Sequence, residues 1–233
     1  KPVGSFGDLS TASFYPAHHV TMGEGGCVQA KTASMRKIVE SLRDWGRDCY
    51  CAGGENNTCG KRFSQQFGNL PFGFDHKYVY EEIGYNLKPI EVQASMLLAQ
   101  IDKLSEIKQL RQRNYKLLFN IFSKYEEYFV VPLAQKNSDV NWFAFPITIK
   151  NNAQFKRSDL CQYFESKKIQ TRPYFAGNIL MQPAYTHLVG DMDLSDFPIA
   201  KKVTTDTFFL GTSPVITKEQ ISYIGEVLDN FFD

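Results

Sequence analysis

The sequence contains no long hydrophobic run and almost no net charge, and both absences exclude classes of protein. No stretch of its 233 residues approaches the roughly 18 consecutive apolar residues that a membrane-spanning helix needs. The first ten residues, KPVGSFGDLS, lack the apolar core of a signal peptide. Lys and Arg total 26 against 25 Asp and Glu, so the net charge of +1 favours neither nucleic acid nor an anionic membrane. We therefore expect a cytoplasmic protein that binds neither.

Cysteine is scarce, but three of the five cysteines, Cys49, Cys51 and Cys59, form one C-x-C-x7-C cluster. A reducing compartment argues against a disulfide framework, so clustered thiols indicate a metal site more than crosslinking. Thiolates suit zinc or iron–sulfur centres, and both normally need four protein ligands. Cys27 or Cys161 could be the fourth, or it could lie outside this chain. Unligated cysteines are the alternative interpretation.

Hydrophobic periodicity is weak in the first third of the chain. The first thirty residues predict short strands and turns. Apolar residues then recur at helical spacing from Ser34, a candidate N-cap, to Gly46, a candidate C-terminal glycine. Residues 47–85 show almost no period, which is uncommon inside a compact domain and usually functional. We expect bound metal to order this segment, because its sequence offers no hydrophobic face.

Periodicity returns after residue 88. Apolar spacing predicts a long connecting helix over 89–125, with a candidate break near 111–114. Strands at 141–149 and 205–211, a helix at 158–168, and a final helix opened by a Thr217–Gln220 capping box follow. This alternation predicts a small C-terminal α/β domain over 126–233.

Two of the four histidines, His18 and His19, are adjacent in SFYPAHHVTMGEGG (13–26). Neighbouring side chains point apart, so the pair cannot share one role. Structural histidines are the simpler interpretation, and without HExxH spacing zinc is not expected here. The GEGG turn lacks the lysine of a phosphate-binding P-loop.

Two segments together resemble one family. SFYPAHHVTMGEGG is similar to the SFxxxKxxxxGEGG segment of the DegT/DnrJ/EryC1/StrS sugar aminotransferases, and GYNLKPIEVQASMLLAQIDKL (84–104) resembles their GYNxRMxxxQAAxGLAQLxxL helix. The resemblance implies an α/β fold of the fold type I, PLP-dependent transferase class. Residues 1–88 would be the C-terminal part of the cofactor-binding large domain, with the cysteine-bearing loop. Family members are longer on the N-terminal side.

His18 stands where the family has its Schiff-base lysine. Imidazole cannot form that covalent link to pyridoxal phosphate (PLP), but it can move a proton near neutral pH. The resemblance therefore implies pyridoxamine 5′-phosphate as cofactor, as in the family's deoxysugar 3-dehydratases. WGRDCYCAGGENNTCGKRF (45–63) and LPFGFDHKYVYEEIGYNLK (70–88) resemble the CDP-4-keto-6-deoxyglucose 3-dehydrase subgroup. That subgroup carries a [2Fe–2S] cluster, with Cys49, Cys51 and Cys59 at three ligand positions and the fourth upstream of Lys1.

The resemblance implies 3-dehydration of a nucleotide-linked 4-keto-6-deoxyhexose in 3,6-dideoxysugar and lipopolysaccharide biosynthesis, and it favours CDP as the nucleotide. His18 would be the base, Ser13 would bind the cofactor phosphate, and Asn86 would reach the neighbouring subunit's phosphate in a homodimer. A flavin/iron–sulfur reductase would supply electrons through the cluster. His19 replaces a family asparagine and receives no catalytic role. The alternatives are a cluster-free dehydratase, an aminotransferase, for which Lys31 is misplaced, and a non-enzymatic metal-binding or regulatory protein.

Overall fold

A computed structural model describes residues 1–190 and 194–233 and divides the chain into two compact units, Lys1–Asp102 and Lys103–Asp233. The N-terminal unit contains two strands and two α-helices: β1 (Leu9–Ser13), β2 (Gly26–Ala30), α1 (Ala33–Arg43) and α2 (Glu91–Ile101). The C-terminal unit contains α3 (Leu104–Phe122), β3 (Phe129–Val130), β4 (Ala144–Ile149), α4 (Arg157–Ser166), β5 (Arg172–Pro173), α5 (Thr186–Val189), α6 (Pro198–Asp206), β6 (Thr207–Gly211) and α7 (Lys218–Phe232). The mixture of helices and sheets agrees with the α/β class predicted from the sequence.

Strands β1 and β2 form an antiparallel hairpin in which Leu9 faces Ala30 and Ser13 faces Gly26. Helix α1 follows, but its N-cap is Thr32 and not the predicted Ser34. The Thr32 hydroxyl accepts the N–H of Met35 at 3.3 Å, whereas the Ser34 hydroxyl contacts that of Thr32. Thr and Ser are both good N-cap residues, so the sequence does not distinguish them. In the structure the earlier of the two caps the helix.

Helix α1 ends at Arg43, and Gly46 completes its C-terminus by donating its N–H to Ser41 O at 2.7 Å. That six-to-one bond is the mark of a Schellman ending, and the preceding residue takes the left-handed conformation. This residue is Trp45, with φ +63°. Gly46 also has positive φ, and a Cβ there would lie 1.8 Å from the carbonyl oxygen of Glu82. Glycine is therefore required at the predicted position, for close packing as well as conformation.

The predicted connecting segment, 89–125, contains two helices. The predicted break at 111–114 is wrong, because helix α3 continues through these residues. The interruption lies between Ile101 and Leu104. Arg111 and Asn114 are instead buried within α3, where they hydrogen-bond to backbone carbonyls. Helix α2 has no buried residue. In the parts of the chain that the structure describes, no helix is long and apolar enough to cross a membrane.

The C-terminal unit is built on an antiparallel sheet with strand order β3-β4-β6-β5. Residues along β4 alternate between buried and half-buried, and Phe145 pairs with Leu210 of β6. One apolar cluster packs between this sheet and α3, α4 and α7, and includes Leu118, Phe122, Phe145, Ile147, Leu160, Phe164, Phe208, Leu210, Ile221 and Leu228. The predicted capping box is present: Thr217 Oγ1 accepts the Gln220 N–H and Gln220 Oε1 accepts the Thr217 N–H.

Candidate active site

Ser13 and His18 lie at the two ends of one tight turn that follows β1. The Ser13 hydroxyl oxygen accepts the N–H of Tyr15 at 3.3 Å, and the His18 N–H donates to Tyr15 O at 2.9 Å. The ring of His18 meets the Tyr15 ring edge-on, with centroids 5.8 Å apart. Ser13 and His18, which are predicted to serve the same cofactor, thus both contact Tyr15.

The remainder of this loop is closed by backbone hydrogen bonds and by glycine. Phe14 donates to Gly25 O at 2.9 Å and accepts from the N–H of Met22 at 3.0 Å, and the Met22 side chain is buried. A Cβ on Gly25 would lie 2.6 Å from the Met22 sulfur, and one on Gly26 would lie 2.7 Å from Ala12 O. The GEGG turn therefore needs its last two glycines to hold the loop that carries His18.

Asn86 lies on a short backbone ladder against the end of α1. It forms an isolated antiparallel bridge with Asp44, and Leu87 donates to Arg43 O at 3.1 Å. Burial alone would raise the pKa of the Asp44 carboxyl, but hydrogen bonds from Arg43 and Lys88 leave that pKa below its ordinary value. This ladder fixes the backbone of Asn86 by contacts more than forty positions apart in the sequence.

Cys49 and Cys51, the C-x-C pair of the cysteine cluster, influence each other's thiol pKa. Burial raises the pKa of the Cys49 thiol, whereas a hydrogen bond from Thr58 lowers that of Cys51. The Cys51 sulfur lies 3.0 Å from the Thr58 hydroxyl oxygen, which closes the glycine-rich loop between them. Cys59, the next residue, is half-buried like the other two.

The Cys59 sulfur contacts a side chain that the sequence did not single out. It lies 3.9 Å from Nδ1 of His76, whose Nε2 lies 2.6 Å from Asp48 Oδ2. His76 is buried, with 5% of its surface exposed. The sequence offered one weak signal for His76: it lies in the segment without hydrophobic period, 47–85, that also contains the three cysteines.

Side chains of suitable chemistry are present for both the predicted metal site and the predicted cofactor site. The side chains of the metal site are not yet arranged around a common point. Three thiols on one closed loop are the ligands that zinc and iron–sulfur centres use. Across residues 1–190 and 194–233, however, no three His, Cys, Asp or Glu side chains are arranged as a metal-binding group. For the pyridoxamine cofactor, Ser13 offers a hydroxyl hydrogen to a phosphate and His18 offers a base. The roles of Ser13, His18, Asn86 and the three cysteines stay predictions.

Comparison with known proteins relates the whole chain to one family. The sequence model of the DegT/DnrJ/EryC1/StrS aminotransferase family matches residues 1–229. The lipopolysaccharide biosynthesis protein RfbH of Salmonella typhimurium is 44% identical over 234 residues, which cover 99% of this chain and 52% of RfbH. The dTDP-4-dehydro-2,6-dideoxy-D-glucose 3-dehydratase of Saccharopolyspora spinosa is 44% identical over 229 residues, covering 98% of this chain and 49% of that enzyme. The chain thus spans about half the length of these relatives.

Solved structures agree on the fold. The Escherichia coli GDP-4-keto-6-deoxy-D-mannose-3-dehydratase with bound hydrated PLP matches with a TM-score of 0.76 and 23% identity, over 98% of this chain and 56% of that one. An aminotransferase from Psychrobacter cryohalolentis matches with a TM-score of 0.79 and 18% identity, over 99% and 57%. The predicted PLP-dependent transferase fold is confirmed. Since the family match extends over nearly every residue, the chain belongs to the DegT/DnrJ/EryC1/StrS aminotransferase family.

Proposed function

We propose that this chain belongs to an enzyme that removes the 3-hydroxyl group from a nucleotide-linked 4-keto-6-deoxyhexose, with pyridoxamine 5′-phosphate as cofactor. The observation that carries the proposal is His18, which occupies the place of the family's lysine in a loop held beside Ser13. The names of two relatives support it: one acts in lipopolysaccharide biosynthesis and one is a 3-dehydratase of a nucleotide sugar. A CDP-linked substrate is the finer form of this proposal.

The residues of the turn can perform the steps that the reaction asks of the protein. When bound, the cofactor would supply the amine that joins the sugar's keto carbon and a ring that accepts electron density. His18 would be the base of that chemistry, because a ring nitrogen can accept the proton that is released on the way to loss of the 3-hydroxyl. Tyr15 packs against the imidazole and limits its rotation. Ser13 donates its hydroxyl hydrogen to the phosphate.

The cysteine loop and Asn86 extend the proposal to electron supply and assembly. Cys49, Cys51 and Cys59, with a fourth ligand outside the 233 residues, would hold a [2Fe–2S] cluster, a one-electron carrier. Its support is the donor chemistry of three half-buried thiols on a loop closed by the Cys51–Thr58 contact. The product would be reduced by a flavin/iron–sulfur reductase. Asn86 would bind the cofactor phosphate of a second subunit in a homodimer.

Substitution of His18 in the complete polypeptide tests the central claim. In His18→Asn we expect dehydration, and exchange of the cofactor's aminomethyl hydrogen with solvent, to fall by about 10²–10⁴-fold, the usual contribution of a general base. Binding of pyridoxamine phosphate, followed by its absorption, should be retained because Ser13 is unchanged. His19→Asn is the matched control, with activity near that of the parent. Exchange at the parent rate in His18→Asn would exclude His18 as the base.

A further inference from the structure

Within the segment 47–85, Cys59 contacts His76, a histidine that other residues hold in place. Its sulfur accepts the backbone N–H of Lys61 at 3.4 Å and lies 3.9 Å from Nδ1 of His76. The other ring nitrogen of His76 lies 2.6 Å from a carboxylate oxygen of Asp48. Three side chains that stand far apart in the sequence therefore form one chain of polar contacts, Asp48–His76–Cys59. The sequence pattern predicts none of these contacts.

The imidazole in the middle of this chain is held on several sides. Phe67 stacks on it, with centroids 5.0 Å apart and the planes 19° from parallel. The backbone N–H of His76 donates to Arg62 O at 3.1 Å. The Arg62 side chain donates two hydrogen bonds to the carboxylate of Asp75, the residue before His76. With only 5% of its surface exposed, His76 cannot turn its ring away without breaking these contacts.

The Asp48 contact determines which way the ring presents its nitrogens. Nε2 lies on the Asp48 side of the ring and Nδ1 on the Cys59 side. A ring with hydrogen on both nitrogens can donate to the carboxylate and to a Cys59 thiolate at once. The pKa of the nearby Glu81 carboxyl is raised by its interaction with Asp48.

We propose that His76, oriented by Asp48, is a positioning residue for the Cys59 sulfur in the cluster, an inference that rests on the proposed function. Hydrogen-bond partners behind metal ligands commonly set ligand orientation, and their loss costs 10–100-fold in metal affinity. Such support matters most on a loop like this one, where glycines leave the backbone otherwise poorly constrained. Among the predicted cluster ligands, the polar contact of His76 is with Cys59, so its effect would be exerted through that sulfur.

A matched pair of substitutions separates positioning from packing. His76→Gln keeps an amide near the Nε2 position, and so the Asp48 contact, but places nothing beside the sulfur. His76→Asn keeps an amide near the Nδ1 position and so the contact with Cys59. The complete polypeptide would be loaded anaerobically with ferric iron and sulfide, and iron release to an excess of chelator would be timed. His187→Gln, an exposed histidine in the C-terminal unit, is the control.

We expect His76→Gln to release iron about 10–100-fold faster than the parent, with shifted sulfur-to-iron absorption bands. His76→Asn should stay within a few-fold of the parent, and His187→Gln should match it. Circular dichroism of the metal-free proteins checks folding. Equal release from the Gln and Asn variants, fast or slow, would assign His76 a packing role and overturn the inference. A parent that holds no iron and sulfide would instead refute the proposed cluster itself, before any variant is compared.

Discussion

The two units of the chain are stabilised by different means. In the C-terminal unit, buried apolar side chains of one sheet and three helices form a continuous cluster. In the N-terminal unit, Met22 and Val79 are the buried apolar side chains among the described residues, and α2 buries none. That unit is held by loop hydrogen bonds, glycine-dependent turns and ion pairs such as Arg62–Asp75. The predicted cofactor and cluster residues all lie in the unit with little apolar burial.

The difference follows from what each region must do. An apolar core stabilises through area removed from water and tolerates little change of volume. A site that binds a cofactor or metal needs polar atoms at fixed positions, which burial alone does not place. Contacts such as Asp48–His76 and Thr58–Cys51 supply that placement. The two units should therefore respond to different perturbations.

The largest effect is expected from removing core volume in the C-terminal unit. Leu118 on α3 is fully buried in the apolar cluster. Leu118→Ala should lower the free energy of unfolding by about 2–5 kcal/mol, because transfer energy is lost and a cavity remains. Urea unfolding followed by the fluorescence of Trp142, which stacks on Tyr115 in this unit, measures the loss.

Leu188→Ala provides the control for that substitution, since Leu188 is 57% exposed. Its cost should stay within about 0.5 kcal/mol. If both variants lost the same stability, the C-terminal unit would not depend on its apolar cluster. The contrast between the two units would then be wrong.

Sequence patterns predicted the C-terminal unit well because its order is local and periodic. The Thr217–Gln220 capping box and the strands around Phe145 and Phe208 were found from spacing alone. The helix break was misplaced, because polar Arg111 and Asn114 imitate an interruption while actually bonding to buried carbonyls. Propensity gives no warning of such tertiary compensation.

In the N-terminal unit, the sequence showed that residues 47–85 lack a hydrophobic period, but it did not show which contacts hold this segment. The two His76 contacts join residues 17 and 28 positions apart, and such contacts leave no pattern along the chain. His18 was found because a family motif surrounds it. No motif marks the role of His76, so only the folded structure could reveal its contacts. The expectation that bound metal orders the segment stays a prediction, and these polar contacts would act beside the metal.

A smaller effect is expected where the N-terminal unit relies on glycine. Gly46→Ala would place a Cβ 1.8 Å from Glu82 O at a residue with φ +77°, so the backbone around Glu82 must move. We expect a loss of the order of 1–3 kcal/mol, seen as faster hydrogen exchange at the amides of Trp45 and Tyr85. Gly54→Ala is the control for conformational strain alone, since Gly54 has φ +82° and open space around it. Equal protection in both variants would mean that close packing at Gly46 is unimportant.

The smallest effect is expected from acid, and it should fall on the N-terminal unit. Hydrogen bonds from Arg62, at 2.8 and 2.5 Å, lower the pKa of Asp75 to about 2. Because the folded pKa lies below the unfolded value of about 3.9, the pair stabilises the loop fully above pH 4. That contribution fades as the pH falls from about 4 to about 2. The apolar cluster of the C-terminal unit has no such dependence on the charge of one carboxyl.

Carbon NMR of the Asp75 carboxyl measures this directly, with a titration midpoint expected near 2. Arg62→Gln removes the guanidinium and should return the midpoint toward about 3.9. In that variant, amide exchange at His76 should already be faster at neutral pH, because the His76 N–H bonds to the carbonyl oxygen of residue 62, which loses its side-chain link to the neighbouring Asp75. In the parent, the same amide should lose protection only on acidification, after correction for the intrinsic rate. An unchanged midpoint in Arg62→Gln would show that Asp75 does not depend on this ion pair, and the N-terminal unit would then need another source of order.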